Sequence, residues 1–345
     1  MHMADALITP AVGGTMWAVS GGLIAWCARK VKQSMRDDLV PLMGVLGAFV
    51  FAAQMINFTI PGTGSSGHLG GGLMLAILLG PQAAFLVIAS VLTVQAFFFA
   101  DGGLLALGCN LFNMGFFPAF VAYPLIYRPL AAGKFGTPRA WWAAVWASMA
   151  SLLMGSVGVV IQTTASGISE LPFGTFLVMM VPIHLAIGLV EGLATAVVVD
   201  FVARARPEVL QVAPAPSGAH GLRPLLIGLG VAALLLGGVA SWFASTHPDG
   251  LEWSIARVTG QDELAAPEVG VHERLSVLQE STAILPDYGF KIDQSASDDA
   301  GAWPSVSTGT SVSGLAGGVM TLGLALLAGF LLRLHALRNT GTKGA

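Results

Sequence analysis

Long apolar runs, separated by short charged connections, set the limits on what this chain can fold into. They are Gly13–Ala28, Leu39–Phe58, Gly70–Ala100, Leu104–Ile126, Trp141–Thr163, Phe173–Phe201, Pro224–Phe243 and Gly314–Leu332. A bilayer core takes about 20 apolar residues per helix. Gly70–Ala100 is too long for one span and is interrupted by Leu79-Gly80-Pro81. Proline disfavours helix at the residue before it, so the run divides into a short span ending near Leu79 and a full one from Gln82. Nine spans are expected, with the termini on opposite sides. Charged residues make up only 10% of the chain, against about 25% in a soluble domain. A soluble two-domain enzyme and a disordered chain are thereby excluded. A nucleic-acid binder is excluded as well, because the net charge is −3 and no basic stripe is present to neutralise phosphates. The 44 glycines suit helices packed closely in lipid. The expected fold is an all-α polytopic membrane protein.

The cations orient it. Arg29, Lys30, Lys32 and Arg36, then Arg128, Lys134 and Arg139, then Arg204, Arg206 and Arg223, and finally Arg333, Arg338 and Lys343 all fall on one side of this arrangement. That is thirteen of the sixteen Lys and Arg residues. The positive-inside bias then predicts an N-terminus outside and a C-terminus in the cytoplasm. The localisation expected is the bacterial inner (cell) membrane. Residues 1–203 form a seven-span bundle, 204–222 a Pro-rich cytoplasmic linker, and 223–345 a helical hairpin around an extracytoplasmic module at about 244–313. That module holds eleven of the nineteen acids. It reads either as a device that concentrates cations by field focusing or as a solvated acidic loop.

Cys27 and Cys109 both lie in apolar runs and read as packing thiols. No basic signal peptide opens the chain, so the mature protein is expected to begin Met1-His2. A free α-amine followed by His2 is a ready chelator. The amine, the deprotonated His2 amide and the imidazole close adjacent five- and six-membered rings in one plane. His68 sits where the glycine-rich loop Pro61–Gly72 enters the membrane on the same side, and it would supply a fourth nitrogen. Planar nitrogen sets suit Ni(II) or Cu(II). The plainer readings are a surface His2 near a frayed terminus and a His68 that caps a helix.

Several ordered blocks then carry a resemblance. They are Met1-His2, the stretch from Asn57-Phe58-Thr59-Ile60-Pro61-Gly62 to Gly67-His68-Leu69, Leu78-Leu79-Gly80-Pro81 and Phe99-Ala100-Asp101-Gly102-Gly103. Leu107–Gly115 and His184-Leu185-Ala186-Ile187-Gly188-Leu189-Val190-Glu191-Gly192 complete the set. Residues 1–203 resemble the cobalt/nickel substrate-capture subunits (CbiM or NikM) of energy-coupling-factor transporters. Pro248-Asp249-Gly250-Leu251-Glu252-Trp253 and Pro286-Asp287-Tyr288-Gly289-Phe290 are similar to the PDGLE motif and a second element of the small companion subunit, NikN or CbiN, here fused in frame. The resemblance implies Met1, His2 and His68 as metal ligands and Ni(II) or Co(II) as the transported ion. It implies a NikQ/CbiQ-like membrane scaffold and a NikO/CbiO-like cytoplasmic ATPase as partners. Met3-Ala4-Asp5-Ala6-Leu7 departs from the commoner family sequence after His2.

Other polar residues in or near the spans carry two readings each. Asn57, Ser66, Gln95, Asp101, Asn110 and Asn113, with Gln54, are either groups that orient His68 and close the site or interhelical hydrogen-bonding residues. His184 and Glu191 share one helix face; Glu191 reads as a structural or coupling group near the cytoplasmic half. The chain lacks the G-x-x-x-x-G-K-[ST] phosphate loop, so energy for uptake must come from partners. The chain is therefore not expected to be an enzyme, nor to hold a permanent cofactor. Competing readings are Co(II) uptake for cobalamin synthesis and a rhomboid-like serine protease, in which Gly64-Ser65-Ser66-Gly67 supplies Ser66 as nucleophile and His184 as base. A proton-coupled transporter would need more buried acids and an inverted repeat.

Overall fold

The computed structural model describes residues 2–34, 36, 38–210, 221–261, 264–291 and 303–341. Met1 and most of the 204–222 linker lie outside them. Nine apolar helices run through these residues. They are α1 (Pro10–Gln33), α2 (Leu39–Gln54), α3 (Gly72–Leu79), α4 (Pro81–Phe98), a compound helix beginning with α5 (Leu107–Leu111), α7 (Pro138–Ser166), α8 (Phe173–Ala205), α9 (Arg223–Gly238) and α12 (Thr308–Gly341). The compound helix continues from α5 as a π-helix over Phe112–Tyr127 and ends in α6 (Arg128–Ala131). Pro118 and Pro124 lie inside its π segment, where each removes an N–H from the α-helical ladder. The helices α1 and α7 start alike: Thr9 and Thr137 accept from the N–H of Val12 and Ala140, and a proline follows each cap.

Six of these helices are long and apolar enough to cross a membrane: Pro10–Gln33, Pro81–Phe98, Leu107–Ala131, Pro138–Ser166, Phe173–Ala205 and Thr308–His335. The two 16-residue helices, α2 and α9, are shorter. The break at Leu79-Gly80-Pro81 is where the sequence puts it, with Gly80 at φ +82° between α3 and α4. The short span expected before it is α3. The eight residues of α3 rise only about 12 Å, less than half a bilayer core. Glycines explain the shortfall, since each disfavours helix relative to other residues. The preceding residues instead form an antiparallel hairpin of β1 (Phe58–Ile60) and β2 (Ser65–Gly67). Gly71, at φ +75°, then turns the chain into α3 against Val50, where no side chain would fit.

Small residues bring the helices together. Side chains at Gly188 or Gly192 of α8 would collide with the backbone of Met149 or Val145 on α7, and Gly237 of α9 meets Gly314 of α12 backbone to backbone. The hairpin of α9 and α12 packs on α2. Apolar side chains remain exposed along its outer surface and that of α8, among them Val178, Val197, Phe201, Leu234, Leu235, Val319 and Phe330. So broad an apolar surface fits contact with lipid or with other membrane helices.

The segment between α9 and α12 carries α10 (Gly250–Thr259) and α11 (Val271–Thr282) and covers the end of the bundle that holds the β-hairpin. Its contacts are specific. Ser66 N donates to Pro248 O (2.8 Å), Ser245 N to Asn57 O (2.7 Å) and Trp253 Nε1 to Thr63 O (3.0 Å). Gln279 Nε2 donates to Ala96 O and Gly102 O, and Asp287 N to Phe99 O (2.9 Å). His272 Nε2 meets Ile8 O at 2.8 Å.

Candidate metal centre

The N-terminal segment enters this covered end and is held there through its backbone. Met3 N donates to Asn110 Oδ1 (2.8 Å), Asn110 Nδ2 returns a bond to Met3 O (3.2 Å), and Gly103 N donates to the same carbonyl (2.9 Å). The departure at Met3–Leu7 is accommodated by a 3-10 turn over Asp5–Leu7, and Asp5 Oδ1 accepts from Ala106 N at 2.9 Å. These bonds put the His2 ring over that of His68. The two imidazoles stack with centroids 5.1 Å apart and 11° between their planes. Met1, the remaining expected ligand, lies outside the described residues.

Each ring has a defined outer partner. His2 Nδ1 lies 3.1 Å from Asp101 Oδ1, and the other Asp101 oxygen accepts a short hydrogen bond from the Tyr288 hydroxyl. Tyr288 itself stacks on Phe99, centroid to centroid 5.1 Å. His68 Nδ1 faces Leu69 O at 3.1 Å. A carbonyl only accepts, so this bond puts the His68 proton on Nδ1 and the lone pair on Nε2. Burial lowers the pKa of both histidines, that of His68 to about 3, where the positive charge of the amino terminus adds to burial. Both are therefore neutral at pH 7, the form that binds metal. Burial alone would raise the Asp249 carboxyl, but the charge of the amino terminus outweighs it and holds the group well below the ordinary range. Asp249 also caps α10 in a capping box with Glu252. Burial first, and the Asp249 charge second, push Glu252 up to about 7. Burial, then the Asp101 charge, likewise raises the Tyr288 phenol.

Most of the other polar residues singled out in the sequence bond to the loop, to the N-terminal segment or to each other. Glu191 (4% exposed) accepts from Gly70 N (2.9 Å) and Gly71 N (3.1 Å). It therefore lies near the middle of α8, against the loop that carries His68. Gln95 Nε2 donates to Gln54 Oε1 (2.8 Å), and Gln54 Nε2 to Gly70 O (2.8 Å). Asn113 pairs with Gln162 and reaches Met3 Sδ at 3.7 Å. Asn57 contributes its backbone carbonyl, to Ser245. Ser66 donates its hydroxyl to His247 O and Pro248 O. His184 bonds through Nδ1 to Met180 O, so no Ser66–His184 dyad forms among the described residues. Asp249 and Tyr288 escaped the reading of the sequence as site residues. Both stand in motifs that were visible, but nothing local ties a position near 249 or 288 to His2 or His68.

The fold defines a polytopic α-helical membrane protein, and comparison with known proteins gives its class. The family described as the cobalt uptake substrate-specific transmembrane region (CbiM) matches residues 2–209, and the PDGLE domain matches residues 223–334. The chain belongs to the CbiM family and carries a PDGLE domain in the same polypeptide. It is 30% identical over 326 residues to the probable fused nickel transport protein LarMN of Lactiplantibacillus plantarum, covering 91% of this chain and 93% of that protein. It is 29% identical to the fused nickel transport protein NikMN of Rhodobacter capsulatus, with 86% and 90% covered, and 27% identical to the putative cobalt transport protein CbiM of Methanocaldococcus jannaschii, with 61% and 90% covered. A crystal structure of a truncated transition metal transporter superposes with a TM-score of 0.52 at 30% identity, over 59% of this chain and 99% of that one. These relatives are metal transport proteins.

Proposed function

We propose that this chain captures Ni(II), or with the same atoms Co(II), at the outer face of the cell membrane and passes it inward in an ATP-driven importer. The observation that carries this reading is the pair of half-buried, neutral imidazoles of His2 and His68, stacked 5.1 Å apart, one of them on the second residue of the chain. The ligands are the Met1 amine, the His2 amide, His2 Nδ1 and the His68 imidazole. Only Nδ1 of His2 closes a six-membered ring with its own amide, so the ion takes over the nitrogen that faces Asp101, and Asp101 keeps Tyr288 as its partner. Four nitrogens in a plane favour Ni(II), and the long matches to fused nickel proteins support nickel over cobalt.

The PDGLE segment is the cover of this site. Its Asp249 brings a carboxylate near His68, its Tyr288 a phenol to Asp101, the partner of His2, and the acids around them attract cations. The cytoplasmic side is the one marked by the Lys and Arg residues, which puts His2 outside and the C-terminus inside. Residues 1–203 are the capture domain and 204–222 the cytoplasmic linker to the fused companion. A scaffold membrane protein of the NikQ/CbiQ kind and an ATPase of the NikO/CbiO kind supply the energy.

The test is the position of the amine. One residue added before Met1 leaves both histidines intact but breaks the amine–amide–imidazole chelate. Equilibrium dialysis of the purified chain should then show loss of high-affinity nickel binding. Retained stoichiometric binding by the extended chain would overturn the proposed ligand set.

A further inference from the structure

Beneath His68 lies a small cavity of about 10 Å³, lined by His68, His184, Asp249, Met114 and Gly250 among others. That is room for about one water-sized guest. His184 is 1% exposed, and its Nε2 is buried without a hydrogen-bond partner. Its Nδ1 lies 2.8 Å from Met180 O, which can only accept, so the proton sits on Nδ1 and Nε2 carries a lone pair. A histidine with one nitrogen fixed on a carbonyl and the other presenting a bare lone pair is the arrangement of a metal ligand. A buried imidazole nitrogen with no donor facing it also carries a desolvation cost, which a guest ion would remove. Gly250 keeps the place open: a β-carbon there would come within 3.2 Å of His184 Cε1.

From this we infer that His184 Nε2 is the ligand of a second, inner station for the divalent cation, reached from the capture site by an ion that keeps His68 while exchanging its other ligands. The inference rests on the capture reading above. Keeping one imidazole throughout spares the ion complete desolvation in an apolar interior, where an unpaired charge is costly. Asp249 and the Met114 thioether line the same cavity and offer an oxygen and a soft sulfur. Among the described residues no three His, Cys, Asp or Glu side chains make a closed metal cage. An open, incomplete ligand set suits a station the ion must leave.

The experiment places a spectroscopic ligand at the station. His184→Cys, in the full-length chain purified in detergent, is titrated with Ni(II) alone. A thiol that coordinates the metal releases its proton to solvent, and the thiolate produces a sulfur-to-nickel charge-transfer band. The band should grow with nickel in His184→Cys and be absent from the parent chain, where Cys27 and Cys109 are both present as internal controls. Absence of the band in a variant that binds nickel as the parent does would overturn the inference. His184→Gln gives an independent check. Nickel binding by dialysis should stay within about twofold of the parent, while nickel uptake by cells carrying the chain with its transport partners falls tenfold or more. Uptake at the parental rate would overturn the inner station and leave capture standing. Failure of the parent chain to bind nickel at all would instead remove the capture reading itself.

Discussion

Glu191 offers the most direct way to ask whether the loop, and not the imidazole alone, makes His68 a ligand. Its two carboxyl oxygens each accept one backbone N–H, from Gly70 and Gly71 at 2.9 and 3.1 Å. Glu191→Gln keeps the size and one acceptor oxygen but turns a donor towards the second N–H. One buried amide is then left without an acceptor, at a cost of about 1–3 kcal/mol. Gly71 cannot move to find a new partner, because its φ of +75° and the contact with Val50 fix it at the start of α3. If the whole penalty falls on the geometry of the loop that carries His68, nickel affinity drops about 5- to 150-fold. Titration calorimetry of the purified variant with Ni(II) reads this directly, with a thermal melt to show that the helices still pack. Glu191→Ala should be worse, since it leaves both amides unsatisfied. A folded Glu191→Gln protein whose nickel affinity stays within twofold of the parent would refute the argument that Glu191 positions His68.

Two further outcomes follow from the geometry. Tyr288→Phe removes the hydroxyl that donates to Asp101, worth about 1.5–3 kcal/mol for a bond to a charged group; amide exchange at Ile284 and Asp287, which donate to Phe98 O and Phe99 O, should accelerate at least tenfold, and unchanged protection would show that the tyrosine does not hold the cover down. Proton release on nickel binding at pH 6, measured by calorimetry in buffers of different ionisation enthalpy, should fall clearly below the total of about 3.5 per ion that two ordinary histidines, the amine and the His2 amide would give. His68 releases none, because burial lowers it to about 3, and burial lowers the His2 contribution as well. The same shifts have a sign for stability. Groups neutral in the folded chain but protonated near pH 6.5 when unfolded contribute stability that is complete above that pH and is lost as pH falls towards the folded value of about 3 for His68.

Much of this molecule could be read from one dimension because lipid makes the backbone obey a simple rule. Every span must satisfy its own hydrogen bonds, so apolar run length alone located the helices, and Leu79-Gly80-Pro81 marked the break between α3 and α4. At Gly70–Leu79 the run predicted only a short span, and the folded chain has the eight-residue α3 there; what the run did not show is the antiparallel hairpin of Phe58–Ile60 and Ser65–Gly67 that precedes it. The chelating chemistry of Met1-His2 was visible because its atoms are neighbours in the chain. The partnership of His2 with Asp101, and of Asp101 with Tyr288, spans nearly the whole polypeptide and leaves no local trace.

The sequence by itself therefore determined that the chain is a bundle of apolar helices, which of its ends carry cations, and that two histidines and a companion motif were worth attention. These follow from solvation and from covalent proximity, which need no folded structure. Only the tertiary structure decided that the PDGLE segment closes over the histidines, that Glu191 holds the Gly70-Gly71 loop beside His68, and that His184, its Nε2 unpartnered, lines the cavity beneath. Those are matters of packing in a medium without water, where each buried polar atom must find a partner from whatever part of the chain the helices bring near.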